Sequence, residues 1–379
     1  EGPVPAEVDA FQAARKRFVE RAEEMRADTR AFVDFREQEE RARISADYDT
    51  RIGSLRELEE NQRELAVERF EDFLTKYPDT DYSSHVRFRL AEMYFEIENE
   101  NWLQRTRAYY AKLNDENITL EEAEQLEEQG QPRLDLSKSI ALYKRIVDDN
   151  LAKPVEERYE KLDGVYLMLG YVYFEPNAAL PVADRPEEGD FDPEDFDMVL
   201  SRKNELATKA FRDLIAEVPQ SDLADRAHLF LGNFLFDAGS DDEAIGEYRE
   251  VYEKGEEGKY FDESIYQLAW ANYKVDRYDE AIPLFTQVLD RSEEQKRATG
   301  RDSDFRGDAV KYMAFSFMDQ GQGDSDSLDV AQAYFQKVGP REYEWDIYNE
   351  MGDGLIRYSR FEEAVDIYRN LQNDPRWVN

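Results

Sequence analysis

The sequence predicts an all-α chain, an α-solenoid of stacked helical hairpins over residues 61–379 preceded by a coiled-coil-like helical segment over residues 1–60. Three observations lead there. A doublet of one large and one small residue recurs along the chain at a fixed distance from a second small residue. No stretch reads as a strand. The first 60 residues carry apolar side chains every seven positions. At 379 residues the chain also exceeds what one compact core usually holds, which points to several domains or to an elongated array.

The elements follow in chain order. Val4, Phe11, Phe18, Met25 and Phe32 form the seven-residue series, with Val8, Ala14, Ala22 and Phe35 three or four positions after its members. Arg21 and Asp28 interrupt this seam. A second series, Ile44, Tyr48, Ile52, Leu55 and Leu58, leads on toward Ala66, Phe70, Phe73 and Pro78. The segment reads as a long helix, a helical hairpin or coiled coil, or else as an amphipathic cap on the first repeat.

The clearest hairpin is LGNFLFDAGSDDEAIGEYREV, residues 231–251. Its first helix carries Leu231 and Gly232, and its second carries Ala244, Tyr248 and Val251 on one face. The skeleton returns as Leu268, Ala269, Ala281, Phe285 and Val288, and as Met351, Gly352, Ala364, Tyr368 and Leu371. In each copy the large member of the doublet precedes the alanine by 13 positions. Weaker copies are Met313 and Ala314 with Ala331 and Phe335; Leu169 and Gly170 with Ala207, Phe211 and Pro219; and Leu90 and Ala91 with Ser139 and Tyr143.

This skeleton resembles the tetratricopeptide repeat family, a unit of about 34 residues with a Leu-Gly pair in helix A and an Ala, Phe/Tyr and Pro series in helix B. Six to seven units are expected, with insertions near residues 114–136 and 175–198. The first insertion has room for a short extra helix; the second, rich in proline and acids, reads as a loop. Both would emerge from the edge of the array.

Charge narrows the partners. With 87 acidic and 49 basic residues the chain has a formal net charge of −38, which disfavours nucleic acid and anionic lipid. It suits saline surroundings or a basic partner, or simply solvates helix faces. The absence of cysteine excludes disulfides, thiolate metal sites and thiol nucleophiles, and leaves the compartment open. No apolar run reaches the roughly 20 residues of a transmembrane helix. The start at Glu1 leaves room for a removed signal peptide or lipid-bearing segment.

No catalytic or nucleotide-binding motif is present, and no cofactor is expected. His85 and His228 lie in different repeats and read as surface or packing residues. Asp324, Asp326 and Asp329 superficially suggest calcium, but Gly321 and Gly323 precede the acids and no glutamate closes the loop. The expectation is a protein that is not an enzyme.

The recognition surface is more informative. In helix A, positions two before and two and five after the large doublet residue share one face. The family resemblance implies that this face lines a concave groove. It carries Phe88, Glu92 and Phe95; Leu167, Tyr171 and Phe174; Leu229, Asn233 and Phe236; Tyr266, Trp270 and Tyr273; Lys311, Phe315 and Met318; and Asn349, Asp353 and Ile356. The aromatics could hold a protein or peptide partner or pack on neighbouring helices. Only Asn233 falls on a place where relatives that grip chaperone tails keep asparagine, without their lysine, so such a clamp is not expected.

The repeat joints, YP or VP then a polar run and a new helix A, are similar to those of bacterial cell-envelope tetratricopeptide proteins. These include outer-membrane assembly lipoproteins, a Tol-Pal-associated protein and, more loosely, repeat proteins of myxobacteria linked to gliding. That resemblance implies a periplasmic or outer-membrane-associated scaffold, or an accessory subunit tethering a polysaccharide or peptidoglycan enzyme. A cytoplasmic location stays open. The array stops after a helix B, so further repeats or homodimerisation, there or through the N-terminal helices, would cover its end.

Overall fold

A computed structural model describes residues 6–115, 118–186, 191–193, 195–321 and 326–377, with most side chains of the first helix described only from Val33 onward. Two compact units emerge, Glu1–Thr80 and Asp81–Asn379.

The first unit is one helix, α1 (Ala6–Lys76), of 71 residues. At 1.5 Å per residue it is about 106 Å long. It does not fold back, because no proline interrupts positions 6–76 and its arginines pair along the helix with glutamates three or four residues away. The helix therefore corrects the hairpin alternative, and it continues past residue 60 to take in Ala66, Phe70 and Phe73. Pro78 follows its end. Of the first apolar series, Val4 and the side chains of Val8, Phe11, Ala14, Phe18, Ala22 and Phe32 lie outside the described residues, whereas Met25 is exposed. Ile44, Tyr48, Ile52, Leu55 and Leu58 are all exposed too.

The second unit is a row of hairpins, all-α as expected. Helices α2 (Ser83–Leu113) and α4 (Ser137–Leu151) pair around the short α3 (Leu120–Gln129), and α5 (Leu162–Phe174) pairs with α6 (Phe196–Glu217). Four compact hairpins follow. They are α7 (Asp222–Asp237) with α8 (Asp241–Tyr252), α9 (Phe261–Lys274) with α10 (Tyr278–Thr299), α11 (Arg306–Gln320) with α12 (Ser327–Val338), and α13 (Glu344–Arg357) with α14 (Phe361–Asn373). The first helix of each hairpin also packs on its predecessor's, or on the helix just before it.

The doublet explains the hairpins. Leu90, Leu231, Leu268, Met313 and Met351 are buried, and the small residue beside each lets a helix B ring lie against helix A. A methyl group added at Gly170, Gly232 or Gly352 would stand less than 3.0 Å from the ring of Phe211, Tyr248 or Tyr368 respectively. Two clusters of buried apolar side chains run through the row and meet at α7, where Leu231 belongs to one and Leu229 to the other.

The insertions depart from the expected edge loops in one respect: they are tied to each other. Thr119 and Glu122 form a capping box that starts α3. Beyond it, the Leu134 N–H donates to Asn177 O at 2.9 Å, and the Ala179 N–H donates to Leu134 O at 2.8 Å. This isolated parallel bridge is the sole extended pairing among the described residues. Trp102 Nε1 donates to Pro132 O at 2.8 Å and holds the first insertion against α2.

No helix follows α14 among the described residues, yet the seam there is partly covered. Trp377 lies edge-on to Tyr348 with ring centres 6.0 Å apart, and Arg376 pairs with the buried Glu344 at 2.9 Å.

Candidate binding surface

Local sequence positions the helix A faces through the turns that end them. Gly239, Asp276 and Ser359 each lie eight residues after the large doublet residue and adopt positive φ, 76°, 60° and 62°. In each turn the next N–H reaches back five residues: Ser240 to Leu235 O, Arg277 to Asn272 O and Arg360 to Leu355 O, at 2.8–2.9 Å. One left-handed residue therefore sets the same reversal three times.

The expected aromatic positions separate into groups. Phe88 packs inward, its ring centre 5.8 Å from that of Tyr143 and 6.3 Å from that of Tyr159. Phe95 and Tyr171 meet edge to face at 6.4 Å across adjacent hairpins, and Tyr171 and Phe174 remain 43% and 39% exposed. Phe236 and Trp270 lie 4.6 Å apart. Tyr266 stacks on Phe305 at 4.9 Å and donates weakly to Asp308 at 3.4 Å. Tyr273 lies 5.3 Å from Tyr312, which lies 6.4 Å from Phe315, which in turn lies 6.3 Å from Tyr358.

Two other expected groove positions do not reach the surface, and a third is engaged within its own hairpin. Leu229 and Met318 are buried in the core, 2% and 1% exposed. The Asn233 side chain already accepts a hydrogen bond from Tyr248 Oη at 2.7 Å, which commits it to holding its own helix B. Tyr278, Phe305, Tyr312 and Tyr358 were not singled out by the spacing rule, although they complete the ring series. Tyr312 stands one residue before the doublet Met313, off the expected face by a single helical step.

Cations border this series. Lys274 lies over Trp270 at 5.9 Å, Lys311 over Tyr312 at 5.2 Å and over Phe315 at 5.9 Å, and Arg357 over Phe315 at 5.9 Å. Burial and then the neighbouring Asp319 carboxylate push the Tyr273 phenol up to about 12, so it is a neutral donor at physiological pH. Burial likewise raises the Tyr266 phenol, with Asp308 adding to the shift. The surface is thus a set of half-buried rings with neutral hydroxyls and a few cations at the margin. That chemistry suits the binding of a partner's apolar and polar groups.

The two histidines stand apart, each beside a glutamate. His85 Nε2 lies 3.9 Å from Glu160, and His228 Nδ1 lies 2.7 Å from Glu247, in different hairpins. No group of three or more histidine and acidic side chains suited to a metal occurs among the described residues. Asp326 caps α12 by accepting from the Leu328 N–H at 2.8 Å, while Asp324 lies outside the described residues.

The class defined by this geometry is a non-membrane-spanning helical repeat array, in the sense that no described helix is long and apolar enough to cross a bilayer. Residues 201–258, which hold most of α6, the whole of α7 and α8 and the turn after them, match the tetratricopeptide repeat family, and the hairpins on either side repeat their doublet packing. No curated protein sequence matches the chain. Two solved structures are similar at low superposition scores. The apo form of RapI is 12% identical, covering 79% of this chain and 85% of its own, with a TM-score of 0.33. A Rap protein complexed with Competence and Sporulation Factor is 14% identical, covering 83% and 97%, with a TM-score of 0.25. Similarity at this level carries no argument about ligand or partner.

Proposed function

We propose that the chain is a non-catalytic scaffold of a bacterial cell-envelope complex that holds a partner protein or peptide against its helix A faces and edge insertions. The observation that carries this is the continuous series Tyr273, Tyr312, Phe315 and Tyr358, with Phe236 and Trp270 beside it, contributed by three successive hairpins and their neighbour. Rings held partly exposed by their neighbours are preordered, so a partner's apolar anchors lose little entropy on joining them. The envelope location rests on the resemblance of the repeat joints alone. An accessory subunit that tethers a polysaccharide or peptidoglycan enzyme is the alternative.

The scaffold is also proposed to self-associate through α1. Ile44, Tyr48, Ile52, Leu55, Leu58 and Leu65 form one exposed stripe on that helix. Residues 1–80 carry 14 basic against 21 acidic residues, whereas residues 81–379 carry 35 against 66. The net charge of residues 1–80 is only −7, so a second copy can meet α1 along its exposed apolar stripe against modest repulsion.

Photo-crosslinking side chains placed at Trp270 and Phe315, with Arg249 on an exposed helix B as the comparison, test the groove. Partner capture is expected from the first two positions only, and Trp270→Ala should then weaken that purified partner's binding at least tenfold by calorimetry. Equal capture from Arg249, or unchanged affinity in the alanine variant, would defeat the groove reading. Fractionation of cells making the native gene product, with recovery only in cytosol, would defeat the envelope reading.

A further inference from the structure

Beside the bridge between the insertions lies an open-mouthed cavity of about 580 Å³ that the groove reading does not use. That volume is in the range of small-molecule sites. Arg133 from the first insertion, Arg185 from the second and Lys203 from α6 all line it, with Glu128 as the one carboxylate among its described lining residues. The rest of the lining is mixed: Gln129, Gln131 and Asn177 are polar, while Ala179, Leu180, Phe196 and Val199 form an apolar part.

Three cations around one space are unusual in a chain of net charge −38. Lys203 is 3% exposed, and its Nζ donates to Glu175 O at 2.6 Å and Ala178 O at 2.7 Å, so it builds the wall. Burial lowers its pKa to about 8; Arg133 adds to this and Glu175 opposes it. The two arginines are differently placed. Neither side chain makes a hydrogen bond or ion pair among the described residues, and Arg185 Nε is buried without an acceptor. A buried unsatisfied donor on a charged group carries a desolvation penalty, and the repulsion between Arg133 and Lys203 adds to the cost of this arrangement. An oxyanion in this space would give Arg185 the acceptor it lacks, with the exposed Arg133 as a second donor, since planar guanidinium donors match carboxylate and phosphate oxygens.

We propose that this cavity binds a small organic oxyanion, a carboxylate or a phosphate ester, with its charged head at Arg133 and Arg185 and its apolar body against Phe196 and Val199. The chain's net charge of −38 disfavours such ligands over the surface at large, so the clustered cations here give this cavity its advantage. The site does not depend on the groove.

Calorimetric titration of the full chain with benzoate, phenyl phosphate and inorganic phosphate at low ionic strength tests it. Benzoate or phenyl phosphate should bind at least tenfold more tightly than inorganic phosphate, and whichever of the two binds tighter identifies the head group. Arg185→Gln and Arg133→Gln should each weaken that binding at least tenfold, with helical circular dichroism unchanged, while Trp270→Ala should leave it unaltered. The proposal is overturned if none of the anions binds, if inorganic phosphate binds as tightly as the aryl anions, or if the two Gln variants bind like the parent. It is equally overturned if an acidic peptide binds at these arginines and the small anions do not.

Discussion

Ser359 and Gly352 sit seven residues apart in one hairpin and show opposite consequences of a missing or present side chain. Ser359 holds φ at 62°, where Gly239 stands in the equivalent turn. A non-glycine residue in the left-handed region is strained by roughly 1 kcal/mol. Ser359→Gly is therefore expected to raise stability by about 0.5–1 kcal/mol in urea unfolding, because it relieves that strain and removes no hydrogen bond of the Ser359 side chain. Asp276 is a less clean test, since its carboxylate accepts from Tyr278 Oη at 2.6 Å. At Gly352 the reverse holds. A Cβ there meets the Tyr368 ring at 2.6 Å, so Gly352→Ala should destabilise by about 1–3 kcal/mol. If both substitutions shift the midpoint in the same direction, this account of the hairpin is wrong. The glycine of the doublet was legible in the sequence, because it recurs at fixed spacing. The strained turn was not, because glycine, aspartate and serine share no obvious side-chain pattern there.

Among the elements, α1 stands apart from the others. The hairpin helices bury a face, whereas the described apolar residues of α1 from Val33 to Leu65 remain exposed. Its backbone is supported by arginine–glutamate pairs along its length, each worth only a few tenths of a kcal/mol. The proposed self-association puts Leu55 and Leu58 in the contact. The double substitution Leu55→Glu with Leu58→Glu places four added charges in each dimer and removes leucines worth about 1.5–3 kcal/mol apiece when buried. Glutamate favours helix nearly as well as leucine, so helical content should hold while the mass found by sedimentation equilibrium falls from dimer to monomer. An unchanged mass, or a monomeric parent chain, would remove α1 as the dimer contact. The length of α1 was partly readable, since no proline interrupts it. Its unbroken course past residue 60 was not, because the shift between two apolar series looks the same for a bend and for a straight helix whose stripe rotates.

For the whole molecule, the 23 tyrosines make alkaline pH the revealing variable. Burial raises the phenols of Tyr143, Tyr173, Tyr248, Tyr343 and Tyr348 above their ordinary value near 10, and pushes Tyr166 up to about 12. A folded pKa above the unfolded one contributes stability that is complete below pH 10 and is lost as pH rises through the folded values. Lys203 acts with the opposite sign: its lowered pKa costs stability below about pH 8 and releases that cost as pH rises to its ordinary value near 10.4. One lysine is outnumbered by the tyrosines. Urea midpoints should therefore fall steeply above about pH 10, and phenolate absorbance of the native chain should lag that of the urea-unfolded chain. Native tyrosines titrating together near pH 10 would contradict the burial described for them.

The amino-acid order alone determined the all-α class, the hairpin unit and its pairing of Leu231–Gly232 with Ala244 and Tyr248. These depend on contacts within about 20 residues, where helical periodicity and one small residue are sufficient instructions. Tertiary structure decided what depends on distant segments. It separated Leu229 and Met318, which the spacing rule assigned to the surface, from Tyr312 and Tyr358, which it passed over, because each ring's exposure is set by the next hairpin. It also joined two insertions more than 40 residues apart through Leu134 and Ala178, bringing Arg133 to the same cavity as Arg185 and Lys203. No local pattern encodes that meeting, since it follows from where α2, α4 and α5 place the ends of two loops.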